Sequence, residues 1–104
     1  MARFDVYANP DKTERVDIPY FLDVQNDHLT NLQTRVVVPL WRAELLEPRS
    51  TALSPAFQVA GRSVAMDTAS LGSVPMRALK RPVTNLAEQQ LSIQNALDHL
   101  FGTY

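Results

Sequence analysis

Two histidines and a scatter of carboxylates are what this chain offers to chemistry, and it contains no cysteine. The absence of thiols removes disulfides, thiolate nucleophiles and cysteine-ligated zinc together. Asp23, Asp27 and His28 form the one tight grouping, of types that build metal sites or acid–base pairs. Alternation, however, sets Asp23 on a strand and Asp27 with His28 in the loop after it, so nothing in the sequence makes the three converge. They read as a sheet-edge carboxylate followed by two turn residues. His99 is far away, in the last turn of a predicted helix, where a cation is favourable. None of the serines sits in a Gly-x-Ser-x-Gly elbow, and no glycine-rich phosphate loop is present. Among the basic residues only Arg77, Lys80 and Arg81 cluster, which reads as a solvated loop before the helix. Trp41, the single tryptophan, reads as packing rather than as a binding platform. No catalytic residue, metal ligand set or cofactor follows, and the residues describe a small binding protein more than an enzyme.

The elements that must carry these residues are mostly strands. Phe4, Val6 and Ala8 alternate with Asp5 and Tyr7, a period of two. Asn9-Pro10-Asp11 supplies a turn, and residues 12–17 are a polar loop. Residues 20–24 are a short apolar and aromatic run, read as a buried strand. Residues 25–31 are rich in turn formers. Arg35-Val36-Val37-Val38 is the clearest strand, because β-branched side chains suit a pleated sheet. Pro39 has no N–H to give a ladder, so it is expected at that strand's end or on an edge. Residues 40–47 fit either a helical turn or a bulged strand, with Pro48 ending them. Residues 57–60 and 64–66, joined by Gly61-Arg62-Ser63, read as a hairpin. Val74-Pro75-Met76 reads as a short edge strand.

The last twenty residues change character. Asn85 with Glu88 three positions on is a helix-start signature, with Thr84 as a competing cap. Leu86, Ile93, Ala96, Leu97 and Leu100 fall on one side at helical spacing, and Gly102 stops the helix. Leu91 points to the polar side, alone or as a mark of partner contact. The strands therefore occupy about residues 2–77 and the helix about 85–101. The helix must cover an open apolar face of the sheet or pair with a copy of itself.

A chain of 104 residues holds one domain. Hydrophobic residues at 45% and charged residues at 20% are globular values, which exclude wholesale disorder. Ten Lys+Arg against eleven Asp+Glu leave a net charge of −1, which argues against a surface built to hold nucleic-acid phosphates. The start, Met1-Ala2-Arg3-Phe4-Asp5, is not a signal peptide, and no apolar run approaches the roughly 18 residues of a membrane span. The chain is expected to be soluble and cytoplasmic, with no membrane partner.

An ordered set of segments resembles the CcdB family, toxins of the ccd toxin–antitoxin modules. These are Phe4-Asp-Val-Tyr7, Phe21-Leu-Asp-Val-Gln-Asn-Asp27, Arg35-Val-Val-Val-Pro-Leu40, Ser73-Val-Pro75 and Asn95-Ala-Leu-Asp-His-Leu-Phe101. The resemblance runs the length of the chain, in order and at nearly the family's spacing. It implies a mainly β fold: an SH3-like barrel of antiparallel strands with a small extra sheet and a C-terminal α-helix, in a symmetric homodimer. It also favours extended structure for residues 40–46.

The family's proteins are not enzymes. They bind the A subunit of DNA gyrase and trap its complex with cleaved DNA, and a CcdA-like antitoxin neutralises them through a flexible segment. Toxin–antitoxin complexes of this kind bind their own promoter, with the antitoxin supplying the DNA contact. Carried over by position, the gyrase surface implied here is His28 and Leu29 in the loop after the second strand, with Asp98, Phe101, Gly102, Thr103 and Tyr104 at the chain end. The family's tail ends Gly-Ile, where this one reads Gly102-Thr103-Tyr104. The helix's apolar arc is wider than one small barrel needs, which places Ile93, Leu97, Leu100 and Phe101 at the dimer interface. Two other readings stand beside this one. The same barrel occurs in endoribonuclease toxins such as MazF, and a homologue could keep antitoxin binding alone.

Overall fold

Period-two alternation decides the architecture. In the structure, a computed structural model that describes residues 1–29, 31–46 and 52–102, the chain forms seven strands before one helix. The strands are β1 (Asp5–Ala8), β2 (Tyr20–Asp23), β3 (Thr34–Arg42), β4 (Ala56–Val59), β5 (Arg62–Met66), β6 (Gly72–Pro75) and β7 (Thr84–Asn85), and the helix is α1 (Gln90–Phe101). All pairings are antiparallel. The order is β4-β5-β3-β2-β1-β7, with β6 paired to β3, in a nearly closed, barrel-shaped sheet.

Register puts Val6 opposite Leu22 and Leu22 opposite Val38, while the neighbouring row is Tyr7, Phe21 and Pro39. The first row faces inward. With Leu40, Phe57, Val59, Val64 and Met66 it forms a core closed by Leu86, Ile93, Ala96 and Leu97 of the C-terminal segment. The second row faces outward, where Tyr7, Ile18, Phe21, Val37 and Leu79 make a smaller cluster with Trp41 and Val74 packed against it. Trp41 thus packs as expected, and its Nε1–H donates to Asp67 Oδ2 at 3.0 Å.

Several local expectations shift. Pro39 lies inside the long central strand, not at its end. Its carbonyl accepts the Asp67 N–H (3.0 Å) on the side where β3 changes partner from β6 to β5. The N–H that proline lacks falls in that gap, so no ladder bond is lost. Strand β3 continues to Arg42 and then closes in a 3-10 turn, Ala43–Leu45, so extended structure covers only part of residues 40–46. Glu47 and Pro48 lie outside the described residues. The hairpin turn sits one residue earlier than expected: Val59 pairs with Arg62, and Ala60 and Gly61 carry φ of +50° and +80°. Positive φ at both central residues is the two-residue hairpin turn whose twist suits its strands.

The polar loop holds a 3-10 turn, Glu14–Val16, where Asp11 Oδ1 accepts the Thr13 and Glu14 N–H groups. The α-helix begins at Gln90 after a 3-10 turn, Ala87–Gln89. Asn85 does not cap the helix as expected: its Oδ1 accepts the Ala87 N–H at 2.8 Å in a local turn, while the N-cap positions are Leu86 and Gln89, neither with a side-chain capping bond. The Asn85 backbone is held in β7 against Asp5, and its Nδ2 donates to Arg3 O and Asp5 Oδ1. A residue tied into a sheet cannot also be helical, so the regular helix starts later. Gly102 ends it in the left-handed region (φ +72°, ψ +60°), its N–H donating to Asp98 O at 2.8 Å.

Candidate functional site

The loop after β2 is braced from within. Asp23 Oδ1 accepts the Gln25 N–H (3.0 Å), and Asn26 Oδ1 accepts the His28 N–H (2.9 Å). The Leu29 N–H donates to Asn26 O at 3.1 Å. These are side-chain-to-backbone turns, the role Asn and Asp fill well. The loop also ties to β3, because Gln25 Oε1 accepts the Val36 N–H at 3.0 Å. His28 and Leu29 project outward, Leu29 at 48% exposure.

Beneath the loop, Asp23 and Arg35 form a buried, two-pronged ion pair. Arg35 Nε donates to Asp23 Oδ2 (2.7 Å) and its Nη2 donates to Oδ1 (2.9 Å). Asp27 Oδ1 stands 3.7 Å from the same guanidinium. This corrects the expectation that Asp23 and Asp27 have no reason to converge, and that Asp23 lies at a sheet edge. Strand β2 is internal, between β1 and β3, and Arg35 of β3 draws both carboxylates in. The hydrogen bond to Asp23 holds the guanidinium pKa above its usual value, with the charges of Asp23 and Asp27 adding to it.

Tyr7 lies in the same layer, its hydroxyl donating to Asp5 Oδ2 at 3.3 Å. Burial, then the negative charge of Asp5, pushes its pKa up to about 12. The cluster is closed to solvent: Tyr7 is 1%, Asp23 0% and Arg35 3% exposed. These three groups face inward, while Asp27 at the rim of the pair keeps 54% side-chain exposure. The only signal for the ion pair in the sequence is residue type, a lone acid in the run 20–24 and a lone base in the run 35–40; their spacing does not relate them.

The chain end supplies the other half of the expected surface. Asp98 is half-buried and its Oδ1 accepts from Gln94 Nε2 at 2.9 Å. Phe101, in the last turn, is 68% exposed, and Gly102 is exposed too. Thr103 and Tyr104 lie outside the described residues. Of the four residues expected at a dimer interface, Ile93 (0%) and Leu97 (7%) are buried in the chain's own core. They have almost no area to give a partner, because the open end of the barrel takes the helix's apolar face. Leu100 keeps partial exposure, and Leu91, at 73%, is the most exposed large apolar side chain of the described residues.

What joins the loop to the helix is Arg3, which sequence reasoning missed. Its backbone N–H donates to Asp27 Oδ1 (2.6 Å), its Nε to Val24 O (3.2 Å) and its Nη2 to Gln94 Oε1 (3.0 Å). A chain of bonds thus runs from Asp27 through Arg3 and Gln94 to Asp98. Arg3, Phe4, Gln90, Leu91 and Gln94 line a shallow cavity of about 250 Å³ along this seam. Arg3 and Gln94 stand 91 positions apart, and no local pattern relates them. Among the described residues no helix is long and apolar enough to cross a membrane.

The described part of this face is a hydrogen-bonded loop and a helix end that leave Leu29, Leu91 and Phe101 exposed. The family model described as CcdB protein matches residues 3–102, nearly the whole chain and both halves of this face, so the chain belongs to the CcdB family, the toxins of toxin–antitoxin modules.

Proposed function

We propose that this toxin acts by binding the A subunit of DNA gyrase and trapping the enzyme on cleaved DNA, through His28, Leu29, Asp98, Phe101, Gly102, Thr103 and Tyr104. The observation that supports the reading is the bond chain Asp27–Arg3–Gln94–Asp98, which ties the loop to the helix that carries the chain end. An exposed aromatic at the end of a supported helix is the kind of anchor that dominates small interfaces. The protein works in the cytoplasm as a symmetric homodimer, without catalysis or cofactor, and a CcdA-like antitoxin covers it and mediates promoter binding. With Ile93 and Leu97 committed to the core, the dimer contact falls to Leu100 and Phe101, with Leu91 as an added candidate. Gyrase from the host, supercoiled plasmid and the purified protein test the target. Linear, gyrase-linked DNA accumulates if the reading holds; cleaved RNA with intact plasmid would favour the endoribonuclease. No effect on either would leave an antitoxin-binding homologue. Light scattering at micromolar concentration should give twice the chain mass, and a clean monomer would remove the dimer.

A further inference from the structure

Resting on the partner-binding reading above, we propose that Arg3 is the positioning residue of this face: it locks the loop 26–29 to α1, so that both halves meet a partner in one fixed arrangement. The guanidinium is a planar fork whose N–H groups point in set directions. Here one prong reaches Val24 O, at the root of the loop, and another reaches Gln94 Oε1 on the helix. The arginine's backbone N–H holds Asp27, inside the loop. Gln94 is turned to receive the fork because its own Nε2 donates to Asp98. The cation also lies over the Phe4 ring, 4.8 Å from its centre, which fixes the direction of the stem.

The backbone is strained to aim this side chain. Residues 2–5 form a tight turn in which the Asp5 N–H donates to Ala2 O (3.1 Å), and Phe4 carries φ of +74°. That region suits glycine, and a bulky aromatic persists there only when its surroundings over-determine it. Phe4 has such surroundings: its ring is buried in the inner core, and its N–H donates to Asp23 O at 2.7 Å. A relaxed turn would carry Arg3 away from the seam. The clamp also sits outside the barrel's apolar core, so its loss loosens the loop without emptying the interior. A loop already ordered before contact loses less freedom on binding, and affinity rises by that difference.

The test uses the full chain and four variants: Arg3→Met, which keeps the apolar stem, Arg3→Lys, Gln94→Met and the Arg3→Met/Gln94→Met pair. In Arg3→Met, amide hydrogen exchange at residues 26–29 should quicken at least tenfold while β3 amides keep the wild-type rate. Affinity for the A subunit of gyrase should fall about tenfold. Lys, with charge but no fork, should restore part of it, and the double variant should be no weaker than Arg3→Met alone. Unchanged exchange in the loop, equal quickening in β3, or additive losses in the double variant would each overturn the clamp. If the wild-type protein does not bind gyrase at all, the target is wrong, and the exchange comparison alone then upholds or overturns the clamp.

Discussion

Arg35 on β3 and Asp23 on β2 bind each other through two parallel hydrogen bonds of 2.7 and 2.9 Å in a layer with almost no access to water. Two charges there are tolerable only together, because each satisfies the donors or acceptors of the other. Removing one partner strands the other. Arg35→Met or Asp23→Asn should therefore lower unfolding stability by about 3–5 kcal/mol. The double variant Asp23→Leu/Arg35→Met should lose much less than the sum. Urea denaturation of the three proteins measures this; a cost below about 1 kcal/mol for either single variant would mean the pair contributes little.

Tyr7 gives the fold an alkaline limit. Its folded pKa, about 12, is above the ordinary value of 10.0 because burial and Asp5 disfavour the phenolate. The native state keeps the proton where the unfolded chain releases it, so this stabilisation is complete below pH 10 and is lost as pH rises toward 12. Between those limits the fold should lose about 2–3 kcal/mol from this group. Comparing urea midpoints at pH 8 and pH 11 should show a steeper loss in wild type than in Tyr7→Phe. Equal losses would remove Tyr7 as the cause.

The hairpin turn between β4 and β5 can be improved. Ala60 holds φ of +50°, in the left-handed region where Cβ crowds the following carbonyl, while Gly61 fills the next position without strain. Ala60→Asn restores the residue pair this turn prefers, and Ala60→Gly removes the crowding outright. Asn should raise stability by about 0.5–1 kcal/mol, read as a higher melting temperature with unchanged binding. A lower melting temperature for both variants would contradict the turn geometry.

The chain end should separate folding from poisoning. The core side of α1 is Ile93, Ala96 and Leu97, while Phe101 and Gly102 are exposed. A protein lacking residues 102–104 should keep its melting temperature within a few degrees. It should no longer accumulate cleaved plasmid with gyrase. Phe101→Ala should behave in the same way, and Tyr104→Ala alone should weaken poisoning tenfold or more if the anchor is worth ~1.4 kcal/mol or above. Full activity of the truncated protein would dismiss the tail as the anchor.

The alternation of residues 4–8, the apolar run 20–24, the β-branched run 35–38, the helical stripe from Ile93 to Leu100 and the stop at Gly102 were legible from the chain alone. Each is a repeat or terminator acting over a few neighbours, and local backbone geometry reads such patterns directly. Only the tertiary structure decided that Pro39 sits mid-strand, because its missing N–H matters only once the change of partner beside β3 is known. The same holds for Ile93 and Leu97, whose apolar side could serve a dimer or a core until the open end of the barrel is seen beneath them. It holds most for Arg35 between Asp23 and Asp27, and for Arg3 reaching Gln94. Those contacts join residues 8 to 91 positions apart, and they form because strand pairing and helix docking bring distant charges within hydrogen-bond reach; nothing in the spacing of the sequence marks them.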